Sequence, residues 1–244
     1  MELDKNSCIP LYHQLKNKLL EMIENNYNVG DALPTETELE KMFNVSRMTV
    51  RLAVNALVEE ELLEKQQGRG TFVKKPKITH DLMTITSWTD DMIKRGLTPK
   101  TVDTAISLIT PPKKIRQLLK LNNESKVVKI KRIRYANDEP MCIMTNYLVE
   151  SYVPDLAEEG LKYESLYKTI SEKYRISFTL TEETVEAREA TEYESEVLMI
   201  EEWSPVLVVT TVSYNSDGTP IEVVNIVSRA DRYQYRNTIH ASVD

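Results

Sequence analysis

The sequence of 244 residues contains few of the residues that build metal centres or nucleophilic active sites. Its two cysteines, Cys8 and Cys142, lie far apart, and its three histidines are scattered at positions 13, 80 and 240. Neither set has the close spacing of a metal-ligand motif, so we predict no metal and no cofactor. Because no Ser/His/acid or Cys/His set can be assembled either, the sequence argues against an enzyme.

Long apolar runs are also missing. No stretch of about 18 apolar residues is present to form a membrane span, and the N-terminus has neither the basic nor the apolar region of a secretory signal. The low cysteine content is typical of a reducing compartment, so a cytoplasmic location without a membrane partner is expected.

The charge balance does not by itself indicate a nucleic-acid-binding protein. The net charge is −7, with 28% charged and 41% hydrophobic residues, values that are ordinary for a globular protein. Acidic and basic residues are nevertheless separated in the first third of the chain. Glutamates cluster at 59–61, whereas basic residues cluster at 47, 51, 69 and 74–77. A local basic face of this kind is sufficient for phosphate contacts.

A short amphipathic helix is predicted directly after Ser46, a residue type that favours the N-cap position. Its apolar residues recur at helical spacing and predict one buried face: Val50, Ala53, Val54 and Leu57. Arg47 and Arg51 stand one turn apart on another face, with Thr49 nearby, and guanidiniums near a helix N-terminus suit phosphate or guanine. A solvated amphipathic helix explains this segment equally well. The flanking segments are therefore needed to distinguish a DNA-binding helix from an ordinary surface helix.

Two helices and a hairpin are predicted around that helix. The first helix begins with Pro10 at its first helical position, and the second begins at a capping box of Thr35 and Glu38. Residues 43–46 then form a turn, which makes a helix-turn-helix motif. Downstream, two short β-prone runs flank the glycines of 68–70 and predict a hairpin with a basic tip. The order of these elements is that of a winged helix.

Residues 9–74 resemble the DNA-binding domain of the GntR family of bacterial transcription regulators. The resemblance rests on Pro-Leu-Tyr-His-Gln-Leu (10–15), Leu-Pro-Thr-Glu-Thr-Glu-Leu (33–39), Val-Ser-Arg-Met-Thr-Val-Arg (45–51) and Gly-Arg-Gly-Thr-Phe-Val (68–73). It implies DNA contacts from the start of the second helix, the recognition helix and the wing: Thr35, Glu36, Thr37, Arg47, Thr49, Arg51, Gln67, Gly68 and Arg69. Thr37 is a departure, since the family usually has a DNA-contacting arginine there.

The rest of the chain predicts a second domain. A polar linker at 76–80 is expected to separate a winged helix-turn-helix domain, residues 1–75, from a domain at 81–244. Six β-prone runs predict strands at 100–108, 127–135, 141–149, 179–190, 206–214 and 221–228. One segment before these runs, at 89–95, and three between them, at 112–119, 165–174 and 191–200, predict helices. We therefore predict an α+β fold, with an antiparallel sheet and helices to one side of it.

The run at 127–135 alternates valine and isoleucine with lysine and arginine, which predicts a half-buried strand. Arg132 and Arg134 share one face of it, because side chains alternate with a period of two. Adjacent guanidiniums repel each other unless negative charge lies close to both. Carboxylates on a neighbouring strand could supply that charge at the surface, and a bound anion is the other possibility.

Residues of about 80–240 resemble the UTRA domain, the effector-binding domain of the HutC subfamily, which has a chorismate-lyase-like fold. The resemblance rests on Thr86-Ser87-Trp88-Thr89, Arg132-Ile-Arg134, Asp138-Glu-Pro-Met141, Ser165-Leu-Tyr167 and Arg229-Ala-Asp-Arg-Tyr233. It implies that Arg132 and Arg134 clamp an anionic effector and that Glu222 accepts ligand hydroxyls from the opposite side. The implied hydroxyl donors are Thr86, Ser87, Ser165 and Tyr167. Relatives that sense phosphorylated amino sugars carry an acidic residue at Met144 and a tyrosine at Ser228, so both departures argue against an amino sugar.

Together these features predict a ligand-responsive transcription factor. We expect a homodimeric repressor that binds a palindromic operator in double-stranded DNA and is released by a small anionic metabolite such as a sugar phosphate. One alternative is a lyase-like enzyme built on the C-terminal fold. Another is a structural, nucleoid-type DNA-binding protein, which would need no anion pocket.

Overall fold

Three helices and a hairpin form the first of two compact units in the computed structural model, which describes residues 3–5, 7–74, 77–81 and 86–238. The helices are α1 (Leu11–Asn26), α2 (Glu36–Phe43) and α3 (Arg47–Glu59), and the strands are β1 (Leu63–Gln66) and β2 (Gly70–Val73). Side chains from all three helices and both strands form a single buried core. The winged helix-turn-helix expectation is confirmed.

The helix ends in this unit are determined by short polar contacts. Thr35 and Glu38 form the expected capping box, in which the Thr35 N–H donates to Glu38 Oε2 at 2.7 Å. Ser46 caps α3 and accepts a hydrogen bond from the Thr49 N–H at 3.2 Å. Between the two helices Asn44 adopts the left-handed conformation, which asparagine tolerates better than most residues. Pro10 stands at the N-cap of α1 rather than at its first helical position.

The second unit, residues 79–244, is built on a six-stranded antiparallel sheet. The elements that follow the hairpin are β3 (Ile78–Asp81), α4 (Trp88–Lys94), β4 (Pro99–Ile109), α5 (Lys113–Leu118), β5 (Val127–Ala136) and β6 (Glu139–Val149). After a 3₁₀ turn (Glu150–Tyr152) follow α6 (Leu156–Glu159), α7 (Leu166–Tyr174), β7 (Leu180–Glu189), α8 (Glu192–Leu198), β8 (Pro205–Tyr214), β9 (Pro220–Arg229) and β10 (Tyr233–Arg236).

The large sheet has the strand order β4-β5-β6-β9-β8-β7, and β3 pairs with β10 in a separate ribbon. Asn137 and Asp138 both adopt positive φ, which gives the tight turn that joins β5 to β6. The expected α+β fold is confirmed, whereas the β3–β10 ribbon was not predicted. β3 begins at Ile78, inside the expected linker of 76–80, of which Pro76 lies outside the described residues. Among those residues no helix is long and apolar enough to cross a membrane.

Helices cover both faces of the sheet, so the expectation of helices to one side is wrong. On one face α6 and α7 pack against Val128 and Ile130 of β5. On the other face α5 packs against Val127, and α8 packs against Ile143. A sheet with apolar residues on both faces needs cover on both to remove them from water.

The half-buried pattern predicted for β5 is also wrong at two positions. Arg132 and Arg134 are 3% and 1% exposed, and the period of two places them on the same face as Val128 and Ile130. They are buried because β5 lies between β4 and β6 and its face is covered by other elements of the unit.

Candidate functional site

The recognition helix α3 presents its two arginines to solvent. The Arg47 side chain is 70% exposed, and its Nε lies 3.5 Å from Glu36 Oε2 and 3.9 Å from Glu40 Oε1. Arg51 is exposed as well and forms no salt bridge with a residue that the structure describes. Exposed ion pairs at these distances contribute little, so both guanidiniums can exchange carboxylate or water for DNA phosphate or guanine.

The start of α2 lies close to α3. Glu36 forms salt bridges with both Arg47 and Lys65 and accepts a hydrogen bond from Lys65 at 3.3 Å, while Thr37 is exposed. Lys65 also donates to Asn55 Oδ1 of α3 at 2.9 Å. This cation on β1 was missed by the sequence reasoning, because a single lysine in a wing strand gives no pattern. It lies beside the predicted DNA-contacting residues.

The wing tip exposes the other predicted DNA contacts, Gln67, Gly68 and Arg69. Gly68 and Gly70 have φ of 75° and 123°, conformations that side-chain-bearing residues rarely adopt. The Arg69 guanidinium lies 5.8 Å from the centre of the Phe72 ring, which orients the side chain while leaving it in solvent. The tip therefore carries one accessible cation.

A cavity in the second unit brings six of the seven predicted effector residues together: Thr86, Ser87, Arg132, Arg134, Ser165 and Tyr167. Its empty volume is about 990 Å³, including the solvent at its mouth. Residues of β5, β6, β8 and β9 form its floor on one face of the sheet, and residues from the starts of α4 and α7 contribute to its walls. The site thus depends on tertiary folding rather than on a local motif.

Both cavity arginines bond only to neutral groups. Arg132 donates to Glu164 O at 3.4 Å and to Asn146 Oδ1 at 3.2 Å, and it contacts Met144 Sδ at 3.6 Å. Arg134 donates to Thr101 Oγ1 and, at 2.6 Å, to Thr89 Oγ1. Within the described part of the chain neither forms a salt bridge, and the Nε of each lacks a hydrogen-bond partner.

Burial affects the charge of the pair. Desolvation, with repulsion from Arg134 second, lowers the pKa of Arg132 to about 10, and desolvation also lowers the pKa of Arg134. Both guanidiniums stay charged at neutral pH even so. Arg134 additionally stacks on Trp88, 4.5 Å from the ring centre, and the Trp88 indole N–H donates to Tyr233 Oη at 2.8 Å. Two desolvated charges that form no salt bridge have the chemistry to hold an anion.

Two predicted hydroxyl donors already serve as helix caps. Ser165 accepts from the Lys168 N–H at 3.3 Å at the start of α7. Ser87 accepts from the Asp90 N–H at 3.1 Å and donates to Asp90 Oδ2 at 2.6 Å at the start of α4. Both serines line the cavity. The N-terminus of α7 carries a partial positive charge, which favours an anion on this side of the cavity.

Glu222 differs from the other predicted residues because it is not among those that line the cavity. It is fully buried and accepts hydrogen bonds from Asn146 Nδ2 at 2.8 Å, Tyr167 Oη at 3.1 Å and Ser213 Oγ at 3.4 Å. Burial raises its pKa to about 7, although these hydrogen bonds and Arg132 act to lower it. Glu222 therefore lies behind Asn146 and Tyr167 and orients their side chains, and its contact with ligand hydroxyls stays a prediction.

Several cavity residues were not predicted as effector contacts. Met144 and Asn146 line the cavity from alternate positions of β6. Thr211 of β8 and Glu183 of β7 also line it, and Thr211 Oγ1 donates to Glu183 Oε1 at 3.2 Å. Met144 and Ser228, noted as departures from amino-sugar-sensing relatives, both line the cavity. The alternation of side chains along β6 could have indicated that Met144 and Asn146 share a face with the cavity. The sequence of β7 contains no local pattern that predicts its contribution to the cavity.

Comparison with known proteins gives matches over nearly the whole chain. Residues 11–73 match the model of the bacterial regulatory proteins of the gntR family, and residues 94–234 match the UTRA domain. The HTH-type transcriptional repressor NagR of Bacillus subtilis (strain 168) is 36% identical over 236 residues, which cover 96% of this chain and 97% of that protein. The mannosyl-D-glycerate transport/metabolism system repressor MngR of Escherichia coli (strain K12) is 30% identical, with 93% and 94% covered.

A solved structure agrees with these matches. The crystal structure of PhnF from Mycobacterium smegmatis superposes with a TM-score of 0.79 at 27% identity and covers 93% of this chain and 100% of that one. The matched domain models and the named repressors belong to transcription regulators rather than to enzymes.

Proposed function

Because the chain belongs to the GntR family of bacterial regulatory proteins and carries a UTRA domain, we propose that it is a repressor released from its operator by a small anionic metabolite. DNA-binding regulation is the activity of this family. The proposal adds that the protein acts as a homodimer on a palindromic operator, in the cytoplasm, and that its effector is an anion such as a sugar phosphate. Two relatives are named as repressors, which supports the direction of control.

The buried pair Arg132 and Arg134 supports the choice of an anion. Removing a guanidinium from water costs several kcal/mol even after relaxation. Glu222 attracts Arg132 and Glu164 attracts Arg134, but neither carboxylate forms a salt bridge with its arginine. A phosphate or carboxylate placed between the pair accepts charge-assisted hydrogen bonds from both, in the fork geometry that arginine favours. The unpartnered Nε atoms are donors that such a ligand can satisfy.

The remainder of the cavity favours a ligand with hydroxyl groups. Thr211, Glu183 and Asn146 offer hydrogen-bonding groups, whereas Met144 offers none that binds a cation strongly. Sugar phosphates combine an anionic group with several hydroxyls and match this lining. An acidic side chain at Met144 would have favoured an amino group there, and its absence supports a neutral ligand group beside that position.

The ligand can change operator affinity only by binding one of two dimer geometries better than the other. A homodimer places its two α3 helices in half-sites about one helical turn apart, roughly 34 Å. A metabolite lowers operator affinity only if it binds better to a geometry in which that spacing is lost. Because the coupling is reciprocal, operator DNA must weaken the metabolite by the same factor.

Calorimetry on the full chain tests the proposal. A thermal-shift screen of sugar phosphates supplies the ligand, and its affinity is then measured with and without an operator duplex from the upstream region. We expect the duplex to weaken the ligand, and Arg134→Ala to lose about 1.5–3 kcal/mol of ligand binding. Lys131→Ala, on the other face of β5, is the matched control and should bind normally. Equal affinities for wild type and Arg134→Ala would refute the anion clamp, and equal affinities with and without DNA would refute the switch.

A further inference from the structure

The recognition helix α3 carries two large apolar side chains that lie in solvent. Met48 is 65% exposed and Leu52 is 48% exposed, and neither forms part of the buried core of the first unit. Single exposed apolar residues are common on proteins, but these two are four residues apart and therefore share one face of the helix. Together they form a small apolar strip beside the exposed arginines Arg47 and Arg51.

The strip is the part of α3 that points most directly away from the core. The buried face of the helix is formed by Val50, Ala53, Val54 and Leu57. At about 100° per residue, Met48 and Leu52 lie roughly 170° and 150° around the helix from the centre of that face. The predicted DNA contacts lie at roughly 70–110°, with Arg47 and Arg51 on one flank of the strip and Thr49 on the other. A helix that inserts its outer face into the major groove places the strip deepest.

The charge around the strip favours DNA over a protein as its partner. Arg47 and Arg51 are exposed beside it, and Lys65 of β1 reaches α3 by donating to Asn55 Oδ1 at 2.9 Å. The N-terminus of the helix adds partial positive charge. Phosphates on both sides of the major groove can bind such flanking cations while the middle of the helix contacts bases. In helix-turn-helix proteins the N-terminal residues of the recognition helix contact base edges, so the strip belongs to that surface.

We propose that Met48 and Leu52 recognise thymine in the operator by packing against its 5-methyl group. Every base pair presents hydrogen-bond donors or acceptors in the major groove, but only an A·T pair adds an apolar group there. An apolar side chain gains a contact from that methyl group that a G·C pair cannot supply. The assignment rests on the operator binding proposed above, and it adds two base contacts and a preferred base at the positions they face.

The two contacts should lie close together in each half-site. Four residues of α-helix rise about 6 Å, which corresponds to roughly two base-pair steps of 3.4 Å. We therefore expect the thymines that face Met48 and Leu52 to be about one or two base pairs apart. They can lie on either strand, because the major groove exposes the methyl group in both orientations of the pair.

Replacing thymine by deoxyuridine tests the contacts, because it removes the 5-methyl group and keeps base pairing. The operator duplex from the upstream region is synthesised with thymine or with deoxyuridine throughout, and each duplex is titrated with the full chain by fluorescence anisotropy. Each buried methyl group is worth about fourfold in affinity, so the wild type should bind the deoxyuridine duplex at least about tenfold more weakly. Substituting one symmetric pair of thymines at a time then locates the positions.

Two variants separate a direct contact from other effects of deoxyuridine. The double variant Met48→Ala/Leu52→Ala keeps high helix propensity and should bind both duplexes with equal affinity. Met42→Ala is the matched control, because Met42 is 48% exposed in the last turn of α2, away from the predicted DNA contacts at its start. This control should keep the wild-type difference. A change in DNA shape caused by deoxyuridine would persist in the double variant.

The outcomes distinguish this assignment from operator binding itself. Wild-type protein that binds both duplexes equally would overturn the thymine contacts and leave the strip available to a protein partner. A difference of wild-type size that persists in the double variant would overturn them as well, since other residues or DNA shape would then be responsible. Both results leave operator binding intact. Wild-type protein that binds neither duplex would overturn operator binding and the thymine contacts together.

Discussion

The two units hold their arginines in opposite environments. Arg47 of the recognition helix is 70% exposed and shares two carboxylates at 3.5 and 3.9 Å. Arg132 of the cavity is 3% exposed and bonds only to a carbonyl, an amide and a thioether. Water and carboxylates compensate the first charge before DNA arrives. The second charge is desolvated and forms no salt bridge with a described residue.

This difference separates two ways of binding phosphate. Exposed arginines exchange partners easily, so each contributes modestly and its contribution falls as salt increases. Buried arginines have already lost their hydration, so a ligand gains charge-assisted bonds without having to strip water from them. The first arrangement suits a long polyanion with many phosphates, and the second suits one small anion.

The largest effect is expected on the pH dependence of stability, from the buried carboxyl of Glu222. This group shows what burial does to an acid, as Arg132 shows for a base. Its pKa is raised by burial to about 7 from an ordinary value of 4.5, so the folded protein keeps a proton that the unfolded chain releases. The stability that this neutral carboxyl contributes is complete below pH 4.5 and is lost as pH rises through 7. Wild type should therefore lose up to about 3 kcal/mol relative to Glu222→Gln between pH 4.5 and 8.

Urea unfolding of both proteins across that range provides the measurement. Glu36→Gln, at a partly exposed carboxyl in the first unit, is the control and should show no comparable change. Parallel pH profiles for wild type and Glu222→Gln would contradict the prediction.

Replacing Arg132 tests directly how the buried arginines differ from the exposed ones. We expect Arg132→Met to weaken sugar-phosphate binding by about 1.5–3 kcal/mol, while the ligand-free protein keeps or gains stability. The gain follows because a desolvated guanidinium that forms no salt bridge costs free energy in the absence of ligand. Calorimetry and thermal unfolding measure the two effects, with Lys131→Met as control. A large loss of stability without ligand would show that Arg132 is compensated by the protein itself.

Much of the fold follows from local signals in the sequence. Thr35 and Ser46 cap α2 and α3 as predicted, since a side-chain oxygen before an apolar repeat satisfies free N–H groups. The six long strands were also predicted within a few residues, because their β-prone runs are bounded by turn residues. The ribbon of β3 and β10 was not, since two four-residue strands are too short to show a period.

The site was predicted less completely, for reasons that lie in tertiary packing. Alternation places Arg132 and Arg134 on one face, but it does not reveal what covers that face, so their burial could not be inferred. Glu222 presents a similar problem, because a lone glutamate in a hairpin is usually solvated and here is fully buried. Glu183 reaches the cavity only because β7 pairs with β8 at the far edge of the sheet.

For the exposed arginines of the first unit, the effects should be on DNA binding. Arg47→Ala should cost about 1–3 kcal/mol of specific operator binding and relax base preference at one position per half-site. Arg69→Ala, at the wing tip, should mainly lower affinity for all sequences and reduce the salt dependence. Titration of both variants against the operator and a scrambled duplex at several salt concentrations separates these outcomes. Unchanged operator binding by Arg47→Ala would show that α3 does not lie in the major groove.

The smallest effect is expected at Thr37, where an exposed arginine can be added rather than removed. Thr37 is exposed near the start of α2, and its neighbour Glu36 already contacts Arg47. Thr37→Arg should raise affinity for a family-like operator by roughly fivefold, about 1 kcal/mol, because one solvent-exposed contact to phosphate contributes about that much. If the new contact is to phosphate, the slope of log affinity against log salt should steepen by about 0.9 per subunit. Thr37→Gln supplies a long polar side chain without the charge and should change neither quantity. An affinity and a slope that stay at wild-type values in Thr37→Arg would show that the start of α2 does not approach DNA closely enough for a contact from this position.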